Sequence, residues 1–155
     1  KGISGRLDLK TKNSEIPVYE SYGSSYAKAK ADFTAIAKHF PNKKLITIFE
    51  PHTFSWRNKN AKSWYKDIFD TSEHVLILPP PIHGINSLQM SQEEIAKEAQ
   101  KNHKKIYSVS GEKEAIQVLK KITDKESMIL LVTSGSLFGL ITSVPKLMEI
   151  MFPKK

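Results

Sequence analysis

Leu45-Ile46-Thr47-Ile48-Phe49-Glu50-Pro51-His52 is an apolar run that stops on a carboxylate, a proline and an imidazole. A short, β-branched run closed by a turn signal predicts a buried strand over 44–49. Open α/β sheets bind ligands outside the carboxyl ends of their strands, so Glu50 and His52 stand at the expected edge of a site. Upstream, Ile16-Pro17-Val18-Tyr19 predicts a short strand, with Pro17 marking its beginning or a sheet edge. Ala29, Phe33, Ile36, Ala37 and Phe40 then recur at helical spacing and predict a helix from Ser25 to Phe40, ended by Pro41-Asn42.

Downstream, Ala61 to Phe69 predicts a short helix with Trp64, Tyr65 and Ile68 facing inward. Val75-Leu76-Ile77-Leu78 predicts a buried strand that Pro79-Pro80-Pro81 forbids from continuing. Ser91-Gln92-Glu93-Glu94 reads as a capping box opening a helix through Asn102. Lys105 to Val109 then predicts a strand, and Glu112 to Ile122 a helix with Ala115, Ile116, Leu119 and Ile122 on one face. Met128 to Thr133 predicts a last strand, buried on both faces. Ser134-Gly135-Ser136-Leu137-Phe138-Gly139 turns it into a closing helical region, which Pro145 is expected to kink or restart. This alternation implies an α/β, Rossmann-like, three-layer fold: a mostly parallel sheet of about five or six strands with helices on both faces.

Composition narrows the function classes. The 155 residues suit one domain with its own core. Cysteine is absent, which excludes a disulfide framework, a thiolate metal site and a cysteine nucleophile, and fits a cytoplasmic setting. No apolar segment approaches the roughly 18 residues needed to span a bilayer, and the opening Lys1-Gly2-Ile3-Ser4-Gly5-Arg6 is not a signal peptide. The start without methionine, in mid-phrase, predicts a piece of a longer protein with a neighbouring domain upstream. The net charge of +8 invites a nucleic-acid partner, but only Arg6 and Arg57 among 24 basic residues are arginine and the lysines are scattered among acids. No RNA-binding consensus or zinc spacing occurs, so a solvated lysine surface with neither nucleic acid nor membrane as partner is expected.

Three segments that follow strands carry chemistry-bearing side chains. Tyr19-Glu20-Ser21-Tyr22-Gly23-Ser24-Ser25 offers hydroxyls and a glycine where backbone amides can meet an anion at a helix start, but taken alone it reads first as a plain serine N-cap. Glu50-Pro51-His52-Thr53-Phe54-Ser55-Trp56-Arg57 gathers an acid, an imidazole and an arginine, with His52 either a site residue or an ordinary loop histidine. Ser134-Gly135-Ser136-Leu137-Phe138-Gly139 is like a phosphate-cradling turn but lacks the lysine and the spacing of a P-loop. Taken alone it reads first as a turn that packs a helix closely on the sheet.

In combination and order these segments resemble the C-terminal domain of the Mur ligase family, in particular the branch of UDP-N-acetylmuramate:L-alanine ligase and the murein tripeptide ligase. That family opens this domain with a strand and an Asp-Tyr/Phe-Gly/Ala-His-His-Pro phrase, matched by Ser21-Tyr22-Gly23-Ser24-Ser25-Tyr26. Its next strand ends in Gln/Glu-Pro-His/Arg, matched by Glu50-Pro51-His52, and a later strand runs into a glycine turn and a closing helix, like Leu130 to Gly139. Gly2-Ile3-Ser4-Gly5-Arg6 resembles the phrase that ends the family's central domain, so residues 1–14 are expected to be the tail of that domain or a linker and residues 15–155 the C-terminal domain.

The resemblance implies an ATP-dependent carboxylate–amine ligase of peptidoglycan synthesis or recycling. A carboxylate on UDP-N-acetylmuramate is phosphorylated and then attacked by L-alanine or a murein tripeptide. ATP and magnesium would be bound mainly by the central domain, and the partners would be this domain's own central ATP-binding and N-terminal UDP-substrate domains and a small-molecule or peptide substrate. By the same resemblance Tyr22, Gly23, Ser24, Glu50, His52 and Arg57 serve nucleotide binding and closure, and Ser134, Gly135 and Ser136 approach the amine substrate. No catalytic or metal-ligating residue is expected in this chain, which alone should be inactive. Glu50-Pro51 and the Ser134-Gly135-x-x-Phe138-Gly139 turn are more like the tripeptide ligase's versions.

The departures are chemical. Ser21 stands in place of the family's aspartate, Ser24 and Ser25 in place of its histidines, and Tyr26 in place of its proline. Serine supplies neither a carboxylate charge nor an imidazole that titrates near neutrality. Glu20 is the nearest replacement carboxylate, one position away on a strand whose neighbours point to opposite faces. Thr53 stands where an arginine often follows, with Arg57 as a substitute. A Mur-like domain that has become a binding or regulatory module, and a free-standing α/β anion-binding protein, are the alternative readings.

Overall fold

A computed structural model describes residues 7–81, 87–103 and 105–155. Strands β1 (Leu7–Leu9), β2 (Val18–Ser21), β3 (Lys44–Phe49), β4 (His74–Ile77), β5 (Ile106–Ser108) and β6 (Ser127–Val132) form one sheet in the spatial order β1-β2-β6-β3-β4-β5. Only β1 runs antiparallel, pairing Leu7 with Ser21 and Leu9 with Tyr19, and every other pairing is parallel. Strands β3 and β6 lie at the centre, in register from Lys44↔Ser127 to Phe49↔Val132. The helices are α1 (Tyr26–His39), α2 (Phe54–Arg57), α3 (Gln92–Gln100), α4 (Glu112–Ile122) and α5 (Leu140–Met151), with a 3₁₀ helix at Lys59–Lys66.

Period-two alternation divides the strands between two apolar layers. Leu45 and Phe49 of β3 and Met128, Leu130 and Val132 of β6 pack with Ala29, Phe33 and Ile36 of α1 and with Ile95 and Ala99 of α3. Ile46 and Ile48, with Ile129 and Leu131, face the other way, onto Ala115 and Leu119 of α4 and Leu140, Val144 and Met148 of α5. Helices therefore cover both faces, and the α/β three-layer expectation holds.

Local differences have local causes. The strand expected over 16–19 runs instead from Val18 to Ser21. Pro17 cannot donate to a ladder, and its carbonyl accepts the Ile129 amide at 2.9 Å just ahead of the strand. The segment after Asn58 is a 3₁₀ helix, tighter than the helix expected over 61–69, with Tyr65 and Ile68 buried and Trp64 only partly so. Helix α5 passes through Pro145 as one element, because Leu140, Val144 and Met148 are fully buried and their packing outweighs the one lost backbone bond. Strand β1, which the sequence reading did not find, lies within residues 1–14. Ser14 Oγ donates to the Met148 and Phe152 carbonyls at 3.0 and 3.1 Å, and Glu149 Oε2 accepts the Lys12 and Asn13 amides at 2.7 and 3.1 Å. The phrase Gly2 to Arg6 lies outside the described residues. Among the described residues no helix is long and apolar enough to cross a membrane.

The capping box of α3 is formed in both halves: Ser91 Oγ accepts the Glu94 amide at 3.1 Å and Glu94 Oε1 accepts the Ser91 amide at 2.9 Å. Ser91→Ala is expected to lower stability by about 1 kcal/mol in urea unfolding at pH 7. The Ser91 amide, with Lys59 and Lys62 nearby, holds the Glu94 carboxyl below the usual glutamate range. A depressed folded-state pKa means that the Glu94 half of the box is fully present above the unfolded glutamate pKa and fades as pH falls through the folded one.

Candidate functional site

Three loops leave the carboxyl ends of the adjacent strands β2, β6 and β3, and the expected site residues lie on them. The Glu50 amide donates to the Val132 carbonyl at 3.0 Å, which carries the β3–β6 register one residue past the strand. Its side chain turns under the β6 loop, 7% exposed, where Oε1 accepts Thr133 Oγ1 at 2.7 Å and the Leu137 amide at 3.1 Å. Glu50 is thus a brace beneath the rim. His52 stands above it, with Nδ1 2.9 Å from Ser134 Oγ. Gly135 lies flat on the imidazole, since a Cβ built there would sit 2.7 Å from both His52 Cδ2 and Nε2. Arg57 is turned to protein partners: Nε donates to the His52 carbonyl at 3.2 Å and Nη1 to Gln89 Oε1 at 2.9 Å.

The loop after β2 is bound to the same assembly through its backbone. Trp56 Nε1 donates to the Gly23 carbonyl at 2.7 Å, and Thr53 Oγ1 and Ser55 Oγ donate to the Ser24 carbonyl at 3.0 and 3.1 Å. Gly23 packs closely on β6 and α1: a Cβ there would lie 3.0 Å from Val132 Cγ1 and 3.3 Å from Ala29 Cβ, so a neighbour would have to give by a few tenths of an ångström. Tyr22 projects outward, 56% exposed. Ser25 is the N-cap of α1, accepting the Lys28 amide at 3.3 Å, so the plain-cap alternative describes that residue.

Ser21 is fully buried, and its hydroxyl donates to Asp32 Oδ2 at 2.5 Å while accepting the Gly23 amide at 3.1 Å. The carboxylate beside Ser21 therefore comes from Asp32 on α1 and not from Glu20, whose Oε1 lies 3.4 Å from Lys10 Nζ. Tyr26 packs on Trp64 with ring centroids 5.6 Å apart and donates its hydroxyl to Asp67 Oδ1 at 2.9 Å, a bond that pushes the phenol above its usual range.

The β6 loop carries the fold's one run of left-handed backbone among the described residues: Leu137, Phe138 and Gly139 have φ of 54°, 58° and 87°. Glycine adopts that region freely, but bulky residues do so only where their surroundings hold them. Leu137 is fully buried and Phe138 is 40% exposed on the rim. Thr133 Oγ1 accepts the Gly135 amide at 2.9 Å, and the Ser136 carbonyl accepts the Gly139 amide at 3.1 Å.

The structure thus joins His52, Ser134 and Gly135 directly, places Glu50 beneath them, and ties Gly23 and Ser24 to the 53–56 segment. Sequence reasoning missed Asp32, Thr133 and Trp56. A lone aspartate on the apolar face of α1, between Ala29 and Phe33, was the available signal for the first. Phe54 and Trp64, with Ala61, line an adjoining apolar pocket of about 250 Å³. Among the described residues no three His, Asp or Glu side chains are grouped closely enough to hold a metal ion.

No family model matches the chain. A UDP-N-acetylmuramate–L-alanine ligase of Desulforapulum autotrophicum is 25% identical over 149 residues, covering 90% of this chain and 31% of that protein. The enzyme of the same description from Sulfurihydrogenibium sp. is 26% identical over 147 residues, covering 94% and 32%. The chain spans about a third of the length of the curated relatives it matches. Among solved structures, a murein peptide ligase from Psychrobacter arcticus superposes with a TM-score of 0.73 at 14% identity, over 92% of this chain and 29% of that one. The UDP-N-acetylmuramate-alanine ligase of Thermotoga maritima gives 0.66 at 14% identity, over 94% and 30%. At such identities the structural likeness speaks for the fold, and the sequence likeness to the alanine ligases runs along nearly the same residues. By sequence this chain is similar to the UDP-N-acetylmuramate–L-alanine ligases along nearly its whole length, and its fold resembles that of Mur ligase C-terminal domains.

Proposed function

We propose that residues 15–155 are the C-terminal domain of an ATP-dependent, peptide-bond-forming ligase of the cytoplasm, with residues 1–14 leading in from its central domain. The ligase joins an amine to a carboxylate on UDP-N-acetylmuramate, the amine being L-alanine or a murein tripeptide. The observation that supports this best is the convergence of 22–25, 50–57 and 133–139 on one rim, in a chain whose relatives are UDP-N-acetylmuramate–L-alanine ligases.

The rim does not fit a phosphate cradle. Its glycine turn has no lysine, the Leu137 amide is taken by Glu50, and the Gly135 amide is taken by Thr133. ATP and magnesium are in this reading held mainly by the central domain of the ligase. This domain closes over them, with half-buried His52 and exposed Ser134 at the rim to position the incoming amine. Closure supplies proximity and excludes water from the activated carboxylate.

The test is ATP hydrolysis by the full-length protein with UDP-N-acetylmuramate, comparing L-alanine with the L-Ala-γ-D-Glu-meso-diaminopimelate tripeptide. Amine-dependent phosphate release is expected, and the stimulating acceptor names the substrate. One observation favours a second reading, a Mur-like module without catalysis: the position-21 side chain is a buried serine bonded to Asp32, with serines at 24 and 25 in place of imidazoles. Folded full-length protein silent with both acceptors would put that reading first.

A further inference from the structure

We infer that Glu50 is a positioning residue: its buried carboxylate holds the left-handed turn at Leu137–Gly139 and thereby fixes Ser134 and Gly135 against His52. Three consecutive residues with φ between 54° and 87°, two of them leucine and phenylalanine, persist only if neighbouring contacts over-determine them. Glu50 Oε1 supplies such contacts twice, to the Leu137 amide and to Thr133 Oγ1. The full burial of the Leu137 side chain supplies the third.

The carboxylate also sets the polarity of the network. As an acceptor it makes the Thr133 hydroxyl a donor, which leaves the hydroxyl's lone pairs for the Gly135 amide at 2.9 Å. The Gly135 N–H is thereby drawn inward and its Cα face meets the imidazole. Because the Glu50 backbone continues the β3–β6 register, His52 and Ser134, which come from two different loops, are placed by one rigid group. That this rim holds the amine rests on the function proposed above; the latch itself does not.

The latch is tested by amide hydrogen exchange at Leu137, with Leu130 in the central strand as the reference for global opening. Glu50→Ala is expected to speed Leu137 relative to Leu130 by about tenfold or more. Glu50→Gln keeps an accepting oxygen and should stay within about threefold of the native protein. Adding Phe138→Gly to Glu50→Ala should restore the turn, read as protection of the Gly139 amide, whose acceptor, the Ser136 carbonyl, survives both changes, since glycine enters the left-handed region without a Cβ clash. Thr133→Val, which keeps its shape, should speed exchange at Gly135 even if Glu50→Ala fails to fold. An unchanged Leu137-to-Leu130 ratio in Glu50→Ala, loss in Glu50→Gln as large as in Glu50→Ala, absence of rescue by Phe138→Gly, or an unchanged Gly135 in Thr133→Val would each overturn the latch. In the full-length ligase Glu50→Ala should raise KM for the amine more than it lowers kcat, and the reverse would overturn its positioning of the amine. A full-length protein without turnover would defeat the proposed function and leave the exchange result standing.

Discussion

Trp56→Ala is expected to lower the stability of the fold by about 3–5 kcal/mol, the range for deleting a buried aromatic ring. Trp56 is 1% exposed, and its ring meets Phe49 edge-on at 5.1 Å, Tyr65 at 5.4 Å and Trp64 at 5.6 Å. Phe49 is the last residue of the central strand, so the cavity would open directly under the residues that lead to Glu50 and His52. The truncation also removes the indole N–H that satisfies the Gly23 carbonyl at 2.7 Å. Trp56→Phe separates the two contributions. It keeps most of the apolar contact and strands that carbonyl, so a loss of about 1–3 kcal/mol is expected from it alone. Thermal and urea unfolding measure both, and at roughly 2–4 °C per kcal/mol the alanine variant should melt about 6–20 °C lower. A loss in Trp56→Ala no larger than in Trp56→Phe would mean that the aromatic cluster adds nothing beyond the hydrogen bond.

The same cluster shows what the sequence could and could not convey. The bounds of β3 and α4 and the capping box of α3 were legible because each is a local signal, an apolar run, a 3.6-residue period or a reciprocal pair of hydrogen bonds three residues apart. The 59–66 segment follows no period, because Trp56, Trp64, Tyr65 and Phe69 are placed by contact with one another and with Phe49. Strand β1 is three residues long, too short to establish an alternation, and is made by its pairing with β2.

At the candidate site, the placing of His52, Ser134 and Gly135 on loops at the carboxyl ends of strands was legible from the apolar runs that precede them, and β3 and β6 are neighbours. The supports were not legible. Glu50 reaches Thr133 and Leu137 across 83 and 87 residues of chain, and Asp32 meets Ser21 from helix α1, 11 residues along. Such partners follow from the register of the folded sheet rather than from any pattern along the chain. Glu50 consequently changed its part, from a group expected on the open rim to the brace below it.

Gly135→Ala is expected to displace His52 and, in the full-length ligase proposed above, to lower amine-dependent turnover by about a hundredfold, the scale of a misplacement near one ångström. The new Cβ would lie 2.7 Å from His52 Cδ2 and Nε2 and 3.2 Å from Cε1, closer than atoms approach, so either the ring swings or the loop shifts. Both movements break the 2.9 Å contact between Nδ1 and Ser134 Oγ. Only Gly139 among the described glycines has a left-handed φ, so alanine at 135 meets no backbone penalty and the effect is steric. The His52 imidazole resonances report the displacement without any assay of activity, and they should move in Gly135→Ala while stability falls by no more than about 1–3 kcal/mol, as in other overpacked sites. A second variant isolates the cause. In a His52→Ala background the atoms that the new methyl meets are gone, so Gly135→Ala should cost little there, and the two changes should be strongly non-additive in both stability and turnover. Additive losses, or imidazole signals indifferent to alanine at 135, would mean that Gly135 does not set the place of His52.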